Sequence, residues 1–222
     1  MKPASDLLNA EPSQQEMELL IEKWYQQISE HKKNLIEQVL AQRTRYVTVA
    51  LEDVFQPFNA SAIIRTAEIF GLQDMHVISV KNQFKPSIGI SRGAVKWLNI
   101  KEYEHPASCI AQLKKQGYII AATCLNEKSI PIQDLPVNQK TALLFGNELV
   151  GLSKESIALA DIPVHIPMYG FTKSFNVSVS VALCLQQLIA KIRTSPTIPW
   201  RLNDEEKRAI EYRWCQQLIK RK

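Results

Sequence analysis

Three stretches of this 222-residue chain carry polar side chains of the kinds that bind ligands and move protons. They run from Asn59 to Arg65, from Phe145 to Ser153 and from Ile166 to Ser178. Each follows an apolar run rich in β-branched residues and precedes a helical pattern, so each is expected where a strand leads into a helix. Ligands of open α/β sheets bind outside the carboxyl ends of the strands. We therefore expect the three stretches to form the walls of one site.

Each polar residue in these stretches also has a purely structural interpretation. Asn59 (or Ser61) and Asn176 stand where a side chain could cap a helix. Glu148 lies between a strand and a glycine and could be a solvent-exposed loop carboxylate. Arg65 lies within a helical pattern and could form a structural ion pair. Two carboxylates could serve as the partner of that arginine: Glu68 and Asp161.

The glycine, cysteine and histidine patterns exclude several well-known kinds of site. No G-x-G-x-x-G follows the first predicted strand, and the chain contains neither G-x-x-x-x-G-K-[S/T] nor G-x-S-x-G. The sequence therefore argues against a dinucleotide-binding loop, a P-loop and an α/β-hydrolase nucleophile. The four cysteines and four histidines are scattered without C-x-x-C or H-E-x-x-H spacing. We expect no metal site and no disulfide framework.

The elements that must position the three stretches alternate between strand and helix. Predicted strands cover residues 46–51, 75–80, 118–125, 141–145 and 164–166, and predicted helices cover 61–70, 107–116, 154–160 and 176–193. The alternation predicts βαβ units, and hence an α/β fold with a mostly parallel sheet flanked by helices. The wholly apolar run 141–145 is typical of a central strand that is covered on both faces.

The N-terminal region is predicted to be helical and separate from this alternation. Residues 14–43 carry apolar side chains at helical spacing and contain neither glycine nor proline, which indicates one long helix or a helical hairpin. Residues 1–13 lack the basic and apolar segments of a secretory signal. The longest apolar stretch, 177–185, is too short to span a bilayer. We expect a cytoplasmic protein that has no association with a membrane.

Positive charge is concentrated at the C-terminus. The net charge is −1 for residues 1–45, +1 for 46–190 and +5 for 191–222. The basic segment is interleaved with Trp200, Tyr212 and Trp214, a combination that suits phosphate binding and base stacking on nucleic acid. A solvated helix whose tryptophans face the core is an equally good interpretation of this feature alone.

Three strings within the predicted walls resemble the ordered motifs of one enzyme family. They are N-x-S-A-I-x-R-T-A-x-x-F-G from Asn59, L-L-F-G-N-E-x-x-G-L-S from Leu143 and I-P-M-x-G-x-x-x-S-x-N-V-S-V from Ile166. In order, spacing and content they resemble the motifs of the SPOUT superfamily, in its SpoU/TrmH branch of RNA ribose 2′-O-methyltransferases. The resemblance covers about residues 46–190, and the segment Ser91–Trp97 resembles the family's substrate-side loop.

This resemblance implies features that composition and spacing do not show. It implies a deep trefoil knot in the C-terminal part of the sheet, an obligate homodimer and the cofactor S-adenosylmethionine. General rules of chain connection argue against knots, so this expectation comes from the resemblance alone. The implied cofactor-binding residues are Thr123, Leu125, Phe145, Gly146, Asn147, Glu148, Ile166, Met168, Ser174 and Val177.

The resemblance also assigns roles in catalysis and RNA binding. Arg65 is the central catalytic residue, supported by Asn59, Glu148, Ser174 and Asn176. The family often casts this arginine as a general base, but a guanidinium with a pKa above about 12 is hard to deprotonate in a protein. A cation that clamps the substrate phosphate and stabilises the alkoxide is physically preferable. The expected RNA contacts are Arg65, Arg92, Lys96, Lys173, Arg193, Arg201 and Arg213.

The helical N-terminal extension and the basic C-terminal helix are most similar to the tRNA guanosine methyltransferases of the branch. The implied substrate is guanosine 18 in the D-loop of tRNA. Expected domains are a helical extension over 1–45, the knotted domain over 46–193 and a basic helical extension over 194–222. Two other functions stay open: methylation of another tRNA or ribosomal RNA nucleotide, and non-catalytic RNA binding.

Overall fold

The computed structural model describes residues 12–54, 56–91 and 93–219, and it divides into two compact units. One unit combines residues from the two ends of the chain, up to Gln42 and from Leu202 onward. The other is Arg43–Arg201. In the described part of the chain, no helix has both the length and the apolar character that crossing a bilayer requires.

Within residues 12–42 and 202–219, the unit built from the chain ends contains three helices, α1 (Gln14–Tyr25), α2 (Glu30–Leu40) and α8 (Asp204–Ile219). The region predicted as one helix or a hairpin is thus two helices. Helix α1 begins at a capping box, because Ser13 accepts the backbone amide of Glu16 while the Glu16 carboxylate accepts that of Ser13. Ile21 and Trp214 of this unit are buried.

The larger unit is built on a seven-stranded sheet, and every described strand pair in it is parallel. The strand order is β3-β2-β1-β6-β4-β7-β5. The predicted α/β class with a parallel sheet flanked by helices is therefore confirmed, whereas the trefoil knot stays a prediction. The strands are β1 (Val47–Glu52), β2 (Asp74–Ile78), β3 (Asn99–Tyr103), β4 (Tyr118–Thr123), β5 (Ile130–Pro131), β6 (Lys140–Phe145) and β7 (Ile162–His165).

Apolar side chains on both faces of the sheet hold the larger unit together. In β1 and β6, Val49, Leu51, Leu143 and Phe145 contribute to one core, which also contains buried residues of α7. The alternate positions, such as Leu144, face a second core on the side of α5. The helices of this unit are α3 (Pro57–Ile69), α4 (Ile88–Ser91), α5 (Pro106–Lys115), α6 (Lys154–Leu159) and α7 (Val177–Thr194).

The structure differs from the sequence predictions at α3 and at β3. Helix α3 begins at Pro57, four residues before the predicted start at Ser61, because proline at the first helical position already has the required φ and needs no amide partner. Strand β3 was not predicted. It lies at the sheet edge, and its polar, partly exposed sequence Asn-Ile-Lys-Glu-Tyr lacks the apolar run of a central strand.

Candidate active site

A cavity of about 440 Å³ opens among the loops that follow β4, β6 and β7. This is the carboxyl edge of the parallel sheet, where the sequence predicted a shared site. All ten residues expected to bind the cofactor line it. The lining consists of Thr123, Cys124, Leu125, Phe145, Gly146, Asn147, Glu148, Leu149, Val150, Gly151, Val164, His165, Ile166, Met168, Lys173, Ser174, Phe175, Val177, Ser180 and Cys184.

Hydrogen bonds join the three predicted walls directly. Asn59 Nδ2 donates to Glu148 Oε1 at 2.7 Å, and Asn176 Nδ2 donates to Asn59 Oδ1 at 3.1 Å. Asn176 Oδ1 in turn accepts hydrogen bonds from the backbone amide and the hydroxyl of Ser178, at 2.9 and 2.6 Å. One continuous chain of side chains therefore runs from the second motif through the first to the third.

The capping interpretation is wrong for Asn59 and correct for Asn176. Because α3 begins at Pro57, Asn59 lies in the first turn of the helix, and the cap position belongs to Gln56, which also accepts a 3.1 Å hydrogen bond from Asn59 Nδ2. Ser61 likewise lies inside the helix. Asn176 is the N-cap of α7 and donates to Asn59 at the same time.

Glu148 is not the solvent-exposed carboxylate that the sequence left open. Its side chain is partly buried, and Oε1 accepts the hydrogen bond from Asn59. Its other oxygen, Oε2, is buried without a hydrogen-bond partner among the described residues. A buried acceptor of this kind is costly unless a donor reaches it, so this oxygen is suited to receive a donor from a bound ligand.

Gly146 and Gly170, each in one of the three motifs, differ in the space around them. A Cβ at Gly146 would lie 2.1 Å from the carbonyl carbon of Gly151, so this position excludes any side chain. A Cβ at Gly170 would have no neighbour within 4 Å, so that glycine is an open loop residue. The tight contact at Gly146 exists because Asn147 and Gly151 exchange two backbone hydrogen bonds, at 3.1 and 2.8 Å, which close the loop on itself.

Arg65 stands apart from the hydrogen-bonded chain. It is exposed on α3 and does not belong to the cavity lining among the described residues. The ion-pair interpretation is wrong, because Glu68 pairs with Arg43 at 2.6 Å and Asp161 pairs with Lys114 at 2.7 Å. Within the described part of the chain, Arg65 makes no ion pair or side-chain hydrogen bond.

The remaining expected site residues are spread over several elements. Ser174 lines the cavity from an exposed position, as does Lys173. Lys96 lies on the 3₁₀ turn Ala94–Trp97, and Arg213 is partly buried on α8 of the helical unit. Arg92 lies outside the described residues.

Arg193 and Arg201 share one aromatic platform. Their Cζ atoms lie 4.7 and 4.4 Å from the centre of the Trp200 ring, within the range of cation–π contacts. Burial, and secondarily the charge of Arg201, lowers the pKa of Arg193 below its usual range. The Trp200 side chain is itself only 6% exposed and Trp214 only 1%. Of the two interpretations of the aromatic residues, the one in which tryptophans face the core is therefore correct for both.

Sequence reasoning missed several residues around the cavity. Gln56 contacts Asn59, and Ser180 and Cys184 line the cavity from the first turns of α7. Ser180 and Cys184 follow Asn176 at helical spacing, which was a usable signal. Gln56 had none, because its role depends on where α3 begins. Among the described residues, no group of three or more His, Cys, Asp or Glu could hold a metal ion.

Comparison with known proteins gives matches over most of the chain. The model of the SpoU rRNA Methylase family matches residues 46–186. The tRNA (guanosine(18)-2′-O)-methyltransferase of Borreliella burgdorferi is 46% identical over 193 residues, which are 87% of this chain and 88% of that protein.

Solved structures with the same fold give a consistent result. The A. aeolicus TrmH/SpoU tRNA modifying enzyme superposes with a TM-score of 0.78 at 29% identity and covers 86% of this chain and 98% of its own. An AdoMet-bound rRNA methyltransferase from Sinorhizobium meliloti superposes with a TM-score of 0.60 at 25% identity, over 68% of this chain and 58% of its own.

Proposed function

Because this chain belongs to the SpoU methylase family, we propose that it transfers a methyl group from S-adenosylmethionine to the ribose 2′-hydroxyl of guanosine 18 in the D-loop of tRNA. The relative from B. burgdorferi, at 46% identity, is named for that reaction. The structural observation that carries the proposal is the hydrogen-bonded chain of Asn176, Asn59 and Glu148 at the edge of the cavity. Three motifs far apart in sequence meet there.

The cavity fits S-adenosylmethionine in size and chemistry. Its volume of about 440 Å³ lies within the range usual for small-molecule sites. Its wall combines apolar side chains with the closely packed loop at Gly146, and the buried Glu148 Oε2 lacks a hydrogen-bond donor among the described residues. The ten residues predicted as the cofactor site would hold the molecule, which supplies an electrophilic methyl group on a sulfonium.

The protein's own task is to hold a weak nucleophile in line and to stabilise its negative charge. Arg65, exposed and without an ion-pair partner in the described part of the chain, is available for a substrate phosphate and for the developing alkoxide. In this role the guanidinium keeps its proton, and the phosphate is a candidate acceptor for the hydroxyl proton. Ser174 and the amides of Asn59 and Asn176 orient the surrounding groups.

The proposal includes a homodimer, and the surface of α3 supports it. Phe58, Ala62, Arg65 and Ile69 follow one another at helical spacing on one face, and Phe58 and Ile69 are exposed. Helix α7, which packs against α3, exposes Val179 and Leu183. Leu149 and Val150, which line the cavity, are exposed apolar side chains. Tyr169 and Phe171 are also exposed, and they lie in the chain between the lining residues Met168 and Lys173. Apolar surface of this extent suits an isologous interface between two copies.

In such a dimer, Arg65 would serve the cavity of the partner, since it does not line the cavity of its own chain. Mixing two inactive variants tests this arrangement. Arg65→Ala and Asn176→Ala subunits, each inactive alone, should regain part of the activity when exchanged, because one of the two sites then has both residues. If Arg65 and Asn176 of one chain serve the same site, each site of the mixed dimer carries one of the two changes, and no activity should return. Tethered dimers that carry both changes in one subunit or split between the two distinguish the arrangements.

RNA binding would extend beyond the cavity. Positive charge for this binding comes from Lys96, Lys173, Arg193, Arg201 and Arg213. We propose that the extensions 1–45 and 194–222 bind RNA beside the 46–193 domain. Non-sequence-specific contacts to phosphates dominate such binding and make it steeply dependent on salt. We propose a cytoplasmic location, where tRNA is modified.

Methyl transfer to defined RNAs tests the function. The full chain is incubated with labelled S-adenosylmethionine and either unmodified total tRNA or ribosomal RNA, and the labelled product is mapped with nucleases. The expected result is label at guanosine 18 of tRNA and none with Arg65→Ala. Label in ribosomal RNA or at another tRNA nucleotide would reassign the substrate. Binding of cofactor and RNA without transfer would favour the non-catalytic alternative.

A further inference from the structure

Asp53 follows β1 at the carboxyl edge of the sheet, and its backbone is unusual. Its φ of 53° places it in the left-handed region, and it is the one non-glycine residue with positive φ in the described part of the chain. Aspartate adopts this conformation more readily than most residues, but the conformation still has a cost that surrounding contacts must offset. Asp53 does not line the cavity.

Those contacts come from the segment that follows β2. Asp53 Oδ1 accepts hydrogen bonds from three consecutive backbone amides, those of Val80, Lys81 and Asn82, at 2.9, 2.9 and 3.2 Å. The Asp53 amide also donates to the carbonyl of Ile78 at 2.9 Å. Bonds from amides to a charged acceptor are stronger than neutral ones, so this residue is held firmly in its left-handed conformation.

The carbonyl of Asp53 points in the other direction, toward the cavity wall. It accepts a 2.9 Å hydrogen bond from Asn147 Nδ2. Asn147 Oδ1 accepts the amides of Leu149 and Val150, at 2.9 and 3.4 Å, and the Asn147 backbone closes the loop onto Gly151. Asn147 therefore organises the loop, and its amide nitrogen attaches the loop to Asp53.

The residue before Asp53 holds the far end of the same loop. Glu52 is buried, and its Oε2 accepts the backbone amide of Ser153 at 3.2 Å. The pair Glu52 and Asp53 therefore contacts the 146–153 loop near both of its ends. A Cβ at Gly146 would overlap Gly151, so the loop is closely packed at its base.

We infer that Asp53 is a positioning residue that links the segment after β2 to the cofactor-cavity wall at 146–151 and thereby sets the affinity for S-adenosylmethionine. This inference rests on the proposed function for the identity of the ligand. The three amide bonds fix the conformation of residue 53, the conformation aims its carbonyl, and the carbonyl holds Asn147. Losing the carboxylate therefore loosens a wall that the carboxylate does not touch.

Three substitutions separate the carboxylate from the backbone conformation. Asp53→Ala removes the acceptor and leaves a Cβ in the left-handed region. Asp53→Gly removes the acceptor but tolerates positive φ, and Asp53→Asn keeps both an acceptor oxygen and tolerance of that region. The matched control is Asp161→Ala, because Asp161 also accepts a backbone amide, that of Ile120 at 2.8 Å, away from this loop.

Calorimetric binding of S-adenosylmethionine to the full chain is the first measurement. Asp53→Ala and Asp53→Gly should weaken binding on the order of tenfold, the effect expected for loss of hydrogen bonds to a charged acceptor. Asp53→Asn should stay within about threefold of the wild type, and Asp161→Ala should bind normally. Wild-type affinity in Asp53→Gly, or an equal loss in Asp161→Ala, would overturn the inference.

Hydrogen exchange in the absence of cofactor is the second measurement and does not depend on the proposed function. Amides of residues 79–82 and 146–151 should exchange faster together in Asp53→Gly, and both should be protected in Asp53→Asn. If the wild type fails to bind S-adenosylmethionine, the proposed function fails while the exchange data still decide the coupling. Faster exchange at 79–82 alone would show that the two segments are independent and would refute the link.

Discussion

Asn176 donates its amide Nδ2 to Oδ1 of Asn59 at 3.1 Å, although 117 positions separate the two residues in the sequence. Asn59 passes the connection on to Glu148, a further 89 positions away from it. An amide can donate and accept at once, which is why asparagine suits the two inner places of this chain. The carboxylate at the end, when ionised, accepts hydrogen bonds and donates none, so the hydrogen bonds all point toward Glu148. Removing any member leaves a partly buried polar group without its partner.

Replacing Asn176 tests this chain against a simple capping role. Asn176→Ala removes the N-cap of α7 and the bond to Asn59, so we expect a loss of about 1 kcal/mol in stability and a large loss of methyl transfer. Asn203→Ala is the matched control, because Asn203 Oδ1 accepts the amide of Glu206 near the start of α8. Thermal unfolding should report similar losses for the two variants, and transfer assays should report loss for Asn176→Ala alone. Equal methyl-transfer activities of Asn176→Ala and Asn203→Ala would mean that Asn176 acts only as a helix cap.

Arg65 should be essential for methyl transfer and dispensable for folding. It makes no ion pair or side-chain hydrogen bond within the described part of the chain, so Arg65→Ala should change the unfolding free energy by less than about 0.5 kcal/mol. Loss of one charge-stabilising donor lowers turnover by about 10²- to 10³-fold. Arg65→Lys should also fail, because a point charge lacks the planar fork. Near wild-type turnover in Arg65→Lys would contradict both the clamp and the general-base role.

Gly146, which lines the cavity, and Gly170, which lies in the chain between the lining residues Met168 and Lys173, offer a matched pair. Gly146→Ala places a Cβ 2.1 Å from the backbone of Gly151, whereas Gly170→Ala meets nothing within 4 Å. The first change must displace the 146–151 loop and should abolish cofactor binding, and the second should leave it unchanged. Calorimetry with S-adenosylmethionine reports both. Unchanged affinity in Gly146→Ala would mean that this loop does not hold the cofactor.

The location of the site at the carboxyl edge of the sheet was predictable from the sequence, because apolar strand runs and the polar stretches after them are both local features. Because the helix was predicted to begin at residue 61 and not at Pro57, Asn59 was a candidate cap. The left-handed Asp53 gave no signal, since its conformation depends on three amides 27 to 29 positions away. The position of Arg65 outside the cavity lining of its own chain could not be read from its place in a motif.

The arginine pair on Trp200 predicts a measurable salt dependence. Arg201 is exposed and flanks the ring together with Arg193, and under the proposed function both are candidates for contacts with RNA phosphates. Each phosphate contact contributes about one unit to the slope of log affinity against log salt. Arg201→Ala should weaken tRNA binding and reduce this slope by about one, while cofactor affinity should not change. Lys115→Ala, an exposed lysine at the end of α5, serves as the control. A lower melting temperature with an unchanged slope would assign the arginine to packing alone.

Buried His76 predicts how stability responds to acid. Its Nδ1 lies 3.1 Å from the Tyr103 hydroxyl, and its Nε2 has no hydrogen-bond partner among the described residues. Burial lowers its pKa from 6.5 to about 4, with Asp74 opposing and Lys101 adding to the shift. His76 in the unfolded chain therefore binds a proton near pH 6.5, whereas in the folded chain it binds one only near pH 4. Stability from this residue is complete above pH 6.5 and is lost as the pH falls toward 4.

The expected loss is about 1.4 kcal/mol for each pH unit in that window, or roughly 3 kcal/mol in all. Carboxylates also titrate at acidic pH. The informative quantity is therefore the difference between wild type and His76→Phe in how the unfolding free energy changes with pH. Urea unfolding at pH 7 and pH 4.5 should show that the wild type loses more stability than this variant. His31→Phe, at an exposed histidine, is the matched control. Parallel pH dependence in wild type and His76→Phe would mean that His76 is protonated in the folded chain, and the burial argument would then fail.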